Sequence, residues 1–297
     1  MSSHEQYFGD EPSPAGADFR PSNLVDMLRF RALNGGGRHG YTFLNDGQKL
    51  GASFTYSELD ERARGIAALL QASNLERERA LLIYPAGLDF VAAFFGCLYA
   101  GVIAVPFPAA NPAQPARSLP KLQAVAADAR PAIVLTVSRL SAKLREVTSD
   151  VSELNGIPWL ETGEVTAEEG GEWQSPLLRG DTLAYLQYTS GSTAQPKGVM
   201  VTHSNVLYGL EDIDQAFLHD SDSVIVSWLP HYHDLGLVYG ILEPLYKGIS
   251  CYLMAPTAFV QRPIRWLEAI STYKGTHSAA PNFAYDLCVR RITAEQL

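Results

Sequence analysis

A chain of 297 residues, 46% hydrophobic and 19% charged, holds enough apolar material for one large or two moderate globular cores. Its formal charge of −9, from 23 basic against 32 acidic residues, excludes the basic face that non-specific nucleic-acid binding needs. No run reaches the roughly 18 apolar residues of a membrane span. The opening MSSHEQYFGDEPSPAGADFRP lacks the apolar centre of a signal peptide, so a cytoplasmic location is expected.

Residues 1–20 are polar and rich in Pro and Gly, and are expected to form a disordered lead. Ser22 then stands as N-cap to NLVDMLRFRAL, whose Leu24, Met27, Leu28 and Leu33 recur at helical spacing before Gly35–Gly37. Tyr41–Leu44 and Ala52–Thr55, joined by Asn45-Asp46-Gly47-Gln48, read as a hairpin. Thr55 and Glu58 have capping-box spacing ahead of an amphipathic stretch through Leu70. A regular alternation follows. Strands are expected at Ala80–Tyr84, Val102–Val105 and Ala132–Val137, with helices at Leu88–Tyr99, Lys121–Asp128 and Ser141–Thr148. Residues 161–182 are acidic, Gly-rich and aperiodic, as a surface connection would be.

The second half resumes the alternation. Helices are expected at Asn205–Phe217, Leu235–Tyr246, Pro263–Tyr273 and Asn282–Arg291, and strands at Ser223–Trp228, Ile249–Met254 and Thr276–Ala279. Near-continuous apolar strands alternating with helices define an α/β class built on parallel sheet with helices on both faces. Cys97, Cys251 and Cys288 sit far apart in apolar surroundings, without metal spacing, and read as free thiols of a reducing compartment.

The chemistry concentrates in Tyr185–His203, YLQYTSGSTAQPKGVMVTH. An apolar strand, Leu183–Leu186, runs into Thr189, Ser190, Gly191, Ser192 and Thr193; Pro196 and Lys197 close the loop, and Gly198–Val201 restart a strand. Successive backbone N–H groups form an anion nest, the hydroxyls donate to phosphate oxygens, and Gly191 lets the backbone approach without a Cβ. The common nucleotide-loop spacing G-x-x-x-x-G-K-S/T is absent. A Ser/Thr-rich turn is the plain alternative, but the Pro-Lys-Gly exit between two apolar strands favours a nucleotide-triphosphate loop.

A second constellation, SWLPHYHDLGL at 227–237, follows a strand and so stands at a carboxyl end, where open α/β sheets place ligands. His231, His233 and Asp234 have neighbour spacing that zinc accepts, yet no further ligand cluster accompanies them, so no metal is assigned there. They read instead as a pocket wall, with one histidine facing a carboxylate or phosphate, the plain alternative being a loop histidine satisfied by backbone. Gly236 and Gly240 leave room along the next helix, which is compatible with a narrow channel for an aliphatic chain.

YTSGSTAQPKGVMVTH resembles the phosphate-loop signature of the adenylate-forming superfamily of acyl-CoA synthetases, luciferases and peptide-synthetase adenylation domains. SWLPHYHDLGLVYGILEPLYKG and APNFAYDLC resemble the fatty acyl-AMP ligases, and the similarity extends over FTYSELDERARGIAALL and CLYAGVIAVPFPAA. The resemblance implies ATP- and Mg²⁺-dependent conversion of a fatty acid to acyl-adenylate with release of pyrophosphate. The acyl group would then pass to the phosphopantetheine thiol of an acyl carrier protein. It assigns Thr189, Ser190, Gly191, Ser192, Thr193 and Lys197 to the ATP phosphates, with Lys197 and His233 as the catalytic pair. Trp228, His233, Asp234, Gly236, Gly240, Asn282 and Phe283 become the acyl pocket.

Residues 21–297 then correspond to part of an N-terminal adenylation domain, with a first α/β subdomain region over about 21–180 and the phosphate-loop and acyl-pocket region over 181–297. Ala194 stands where many relatives carry Gly. The family's adenine-binding, metal-binding glutamate, ribose-binding, hinge and catalytic-lysine motifs, and its C-terminal domain, have no counterpart in these residues. Two other readings share the pattern: a long-chain acyl-CoA ligase, and a catalytically incomplete fragment that only binds nucleotide or acyl chain.

Overall fold

The computed structural model describes residues 20–109, 115–163, 165–166, 168, 172–189 and 196–297. Its strands form two sheets. The larger is ordered β6-β5-β3-β4-β7-β8, from β3 (Arg79–Tyr84), β4 (Ile103–Pro108), β5 (Ile133–Thr136), β6 (Trp159–Glu161), β7 (Leu183–Thr189) and β8 (Lys197–Thr202). Every pairing in it is parallel except the β7–β8 hairpin. The smaller is ordered β2-β1-β10-β9, from β1 (His39–Asn45), β2 (Lys49–Thr55), β9 (Val224–Ser227) and β10 (Ser250–Met254). Here β1, β10 and β9 are parallel and β2 folds back on β1. The sheets therefore do not divide at residue 180: β7 and β8 extend the sheet of the preceding residues, and β1–β2 join strands made two hundred positions later.

Alternation along the strands explains how the layers stack. In β3, Ala80, Leu82 and Tyr84 face the central core, while Leu81 and Ile83 face α4 (Pro115–Ala129) and α5 (Ser138–Val147). The central layer is α2 (Tyr56–Ala72) and α3 (Leu88–Tyr99), and it meets the smaller sheet through Tyr41, Ile225 and Cys251. The other face of the smaller sheet presents Val226 and Met254 to α9 (Pro256–Gln261), α10 (Ile264–Thr272) and α11 (Asn282–Arg291). Helices thus cover both faces of both sheets, as near-continuous apolar strands require.

Within the centre, α3 is buried at every position but Asp89. Each of its large side chains contributes about 1.5–3 kcal/mol of transfer free energy. Asp60 of α2 accepts from Arg29 of α1 (Leu24–Leu33) at 2.6 Å, from Arg64 at 3.0 Å and from Tyr99 of α3 at 2.7 Å, so its buried charge is paired and satisfied.

Local chemistry accounts for most boundaries. Thr55 and Glu58 make the reciprocal capping box that starts α2. The expected cap of α1 moves by one residue: Asn23, not Ser22, accepts from the Val25 and Asp26 amides, and Ser22 bonds the Asp26 carboxylate instead. Thr202 caps α6 (His203–Phe217) with Asn205 in reciprocation. The expected strand at Thr276–Ala279 reduces to one bridge, between Ile225 and His277. The hydroxyls of Thr276 and Ser278 take the Val224 and Val226 carbonyls, at 3.3 and 2.5 Å, in place of a longer ladder. Cys97, Cys251 and Cys288 are free, with Cys288 only half-buried. Among the described residues no helix is long and apolar enough to cross a membrane.

The expected single helix over 235–246 is broken into three. A short α7 (Asp234–Leu237) passes into a π-helical turn, Val238–Leu242, and then α8 (Glu243–Lys247). Pro244 is the cause. It has no N–H for the Gly240 carbonyl, and its ring crowds the carbonyl four residues back. Widening the turn relieves the clash, with Glu243 N–H reaching Val238. The freed carbonyls find other partners: Cys251 Sγ donates to Gly240 at 3.3 Å, and Tyr41 Oη donates to Ile241 at 2.5 Å.

Candidate active site

β7 carries an alternation that decides what faces what. Tyr185, Gln187 and Thr189 share one face of the strand, and Leu186 and Tyr188 share the other. On the first face, the Gln187 amide donates to the Tyr232 carbonyl at 2.9 Å, and Tyr185 lies edge-on to Phe94. The Tyr185 phenol is pushed up, by burial first and then by the negative charge of Asp234. Two successive positions of that face therefore touch or sense the tract 231–234, and Thr189 continues it.

Lys197 stands directly across from Thr189 in the β7–β8 register, so both exposed side chains lie on the same face at the mouth of the connecting loop. On the reverse face, Tyr188 covers Gly198, where a Cβ would come within 2.9 Å of the ring, and its hydroxyl bonds Asp128 of α4. The loop residues Ser190, Gly191, Ser192, Thr193 and Ala194 lie outside the described residues.

The tract after β9 separates its two histidines. His231 is turned into the core, its ring 4.1 Å from that of Phe90. Burial pulls its pKa down to about 3, so the imidazole is neutral at ordinary pH, and Nε2 has no partner among the described residues. His233 points out, with its side chain 66% exposed and Nδ1 against the Asp234 carboxylate. That contact orients the ring and leaves Nε2 toward solvent. The two histidines do not converge on one point, and His233 is the one a substrate can reach.

Gly236 belongs to the turn that makes this possible. A Cβ there would lie 2.0 Å from the Pro230 carbonyl oxygen, so the turn, rather than a channel, claims the space beside it. Gly240 sits over Ser227, whose Oγ would be 3.0 Å from an added Cβ. Trp228 is buried in the outer core, stacked on Phe259 with centroids 4.0 Å apart, and Phe283 meets it edge-on at 6.0 Å. Asn282 begins α11 and is exposed.

A cavity of about 790 Å³ opens between the carboxyl ends of both sheets. Its walls are Phe43, Asn45 and Asp46 at the end of β1, Tyr84, Pro85 and Ala86 at the end of β3, Pro108 and Ala109 at the end of β4, Pro230, His231 and Tyr232 after β9, and the start of α9. Because β7 runs parallel to β4, Thr189 and Lys197 stand at this same edge. Of the residues expected to hold an acyl chain, none lines this cavity; Trp228 and Phe283 come together at the neighbouring aromatic cluster instead. The link through Gln187 and Tyr185 escaped the sequence reading, although a glutamine inside an apolar strand was the available signal.

Comparison with known proteins matches residues 34–296 to the AMP-binding enzyme family. The medium-chain-fatty-acid–acyl-carrier-protein ligase JamA of Moorena producens (strain JHB) is 50% identical over 276 residues, covering 93% of this chain and 47% of that protein. The corresponding ligase TtuA of Teredinibacter turnerae is 32% identical, over 92% of this chain and 48% of that protein. The fatty acyl-adenylate ligase from L. pneumophila, solved with acyl adenylate and pyrophosphate, superposes with a TM-score of 0.83 at 40% identity, covering 93% of this chain and 47% of that one. The chain spans about half the length of the curated relatives it matches.

Proposed function

The chain belongs to the AMP-binding enzyme family, and from that premise we propose that the whole protein is a fatty acyl-AMP ligase. A carboxylate oxygen of a fatty acid attacks the α-phosphorus of ATP, the bond to the β-phosphate oxygen breaks, and acyl-adenylate and pyrophosphate result. The thiol of a carrier protein's phosphopantetheine then attacks the acyl carbonyl, loses its proton and expels AMP. The names of JamA and TtuA, medium-chain-fatty-acid–acyl-carrier-protein ligases, support this acceptor and substrate class.

The observation that supports the reading is the shared face of Tyr185, Gln187 and Thr189, which brings the strand end at Thr189 toward the 231–234 tract. Bringing a carboxylate to a polyphosphate sets anion against anion, and the barrier falls only if positive charge is already in place. Lys197 supplies it at the loop mouth, and the hydroxyls and amides of Thr189 through Thr193 hold the phosphate oxygens. Mg²⁺ fits this setting, since the Thr189 hydroxyl is a hard oxygen donor of the kind that ion takes beside phosphates. It would supply further charge neutralisation on them. His233, held by Asp234 at the carboxyl end of β9, receives the fatty carboxylate. The aromatic wall of Trp228 and Phe283, with Asn282 and Gly240, flanks the acyl chain.

ATP–pyrophosphate exchange on the whole protein, followed by acyl transfer to holo-carrier protein or to coenzyme A, tests the proposal. Exchange that requires fatty acid, with thioester formed on the carrier protein, is expected. Thioester formed on coenzyme A at a comparable rate would instead make the protein an acyl-CoA ligase.

A further inference from the structure

Away from the phosphate loop, three side chains converge where α6 meets α8. Asp214 lies in the last turn of α6, His219 follows the left-handed Leu218 that ends it, and Glu243 opens α8. His219 Nδ1 is 3.1 Å from Glu243 Oε1 and 3.5 Å from Asp214 Oδ1. The side chains of His219 and Glu243 are 0% exposed. Among the described residues, neither nitrogen of His219 and neither oxygen of Glu243 has a partner in hydrogen-bonding geometry.

Such an arrangement is costly as it stands. A buried carboxylate set beside a second carboxylate loses its hydration and meets a repulsion that the nearby Lys247 charge offsets only in part. Burial, then the charge of Asp214, pushes the Glu243 carboxyl up to about 8, whereas burial and the neighbouring His277 hold the His219 imidazole down. Lys247 straddles the Asp214 carboxylate, 3.0 Å from Oδ1 and 3.1 Å from Oδ2, and would share Oδ1 with any ion bound there. His277 is turned to Thr276 and to the Phe217 carbonyl.

The spacing is that of a coordination shell. Ligand atoms about 2.1 Å from a tetrahedral ion are roughly 3.4 Å from each other, and the distances to His219 Nδ1 bracket that value. All three ligand atoms lie within 4.8 Å of one another. The π-turn contributes as well: one added residue rotates the following helix by about 100°, which sets where Glu243 and Lys247 point. A cavity of about 170 Å³, lined by Asp214, Lys247, Arg31 and Tyr246, reaches the cluster at Asp214 and has room for a water.

We propose that Asp214, His219 and Glu243 bind a divalent transition-metal ion of the zinc class, as a structural clamp between α6 and α8. One imidazole with two carboxylates is a borderline donor set that suits zinc over calcium or magnesium. A water from the cavity completes the shell. The ion satisfies the buried donors and pins the helix that emerges from the π-turn.

The test uses the whole protein, stripped with chelator and titrated with Zn²⁺ by calorimetry and with Co²⁺ by visible absorption. One ion per chain is expected, with the intense ligand-field bands of tetrahedral cobalt and a higher melting temperature with Zn²⁺. His219→Gln and Glu243→Gln should each weaken Zn²⁺ binding by roughly tenfold or more. Metal-free Glu243→Gln should melt above the metal-free wild type, an order that Zn²⁺ reverses. Wild-type protein that takes up no Co²⁺, or Glu243→Gln that binds Zn²⁺ as tightly as wild type, would overturn the proposal. The wild-type spectrum decides the matter even if a variant fails to fold.

Discussion

Gln187 donates from inside β7 to the backbone carbonyl of Tyr232, 45 residues further along the chain, at 2.9 Å. This single bond joins the strand that feeds the phosphate loop to the loop that presents His233. It transmits position, not charge. Gln187→Met keeps the shape and deletes the donor. The expected cost is about 1 kcal/mol in urea unfolding, with fatty-acid-dependent exchange lowered roughly tenfold through loss of alignment. A destabilised protein with unimpaired exchange would reduce Gln187 to a packing residue.

Lys197 is exposed at the loop mouth opposite Thr189. Lys197→Ala should lower the rate of adenylate formation by about 10²–10³-fold at saturating ATP. Its melting temperature should stay within about 1 °C of wild type, since an exposed cation contributes little to stability. A rate unchanged at saturating ATP removes Lys197 from the reaction.

For His233→Ala, the expectation is a split in Michaelis constants. That for the fatty acid should rise about tenfold, while that for ATP moves less than about twofold. Initial rates over a grid of both substrates give the answer. A defect confined to ATP would reassign the residue to the nucleotide.

Gly236→Ala forces a methyl group onto the Pro230 carbonyl, a backbone atom that cannot turn aside. A loss of about 3 kcal/mol or more in denaturant unfolding is expected, and it should exceed that of Gly240→Ala, whose neighbour is a movable serine hydroxyl. Equal costs at the two sites would show that the turn relaxes.

His203 is 1% exposed, and its Nδ1 accepts from the Leu24 amide at 3.2 Å, so the folded protein requires it neutral. Burial lowers its pKa from 6.5 to about 4. Above pH 6.5 neither folded nor unfolded chain protonates it, and its contribution is complete. Between 6.5 and 4 only the unfolded chain takes the proton, so stability falls by about 1.4 kcal/mol per pH unit. His231 adds a loss of the same sign and Glu243, with its raised pKa, an opposing gain, so the comparison with His203→Gln is what isolates the residue. The stability advantage of wild type over the variant should shrink at that slope between pH 6 and 4.5. A constant difference would contradict the assignment.

The helices α3 and α11 were legible to the residue, their starts marked by the preceding Gly87 and Pro281 and their extents by apolar spacing. So was the capping box of α2. What escaped did so for identifiable reasons. β6 has only three residues, too few for any period to show, and α9 begins at Pro256, which punctuates as readily as it initiates. The break at the π-turn depends on Cys251 and Tyr41 donating to the freed carbonyls, from 11 and 200 positions away. At the site, Lys197, Thr189 and His233 could be named from local spacing. Their common face could not, since it is set by the β7–β8 register and by a hydrogen bond across 45 positions.

The parallel pairing of β1 with β10 has a temporal consequence. The hydrogen bond from Ser250 to the His39 carbonyl closes a loop of 211 positions, whereas every strand of the larger sheet is complete by Thr202. During synthesis the β1–β2 hairpin therefore waits with one edge unpaired until Met254 has cleared the ribosome. Non-local closure of this kind is slow, and an unpaired edge invites wrong partners in the meantime. A hairpin made before the larger sheet thus belongs to a sheet that closes after it.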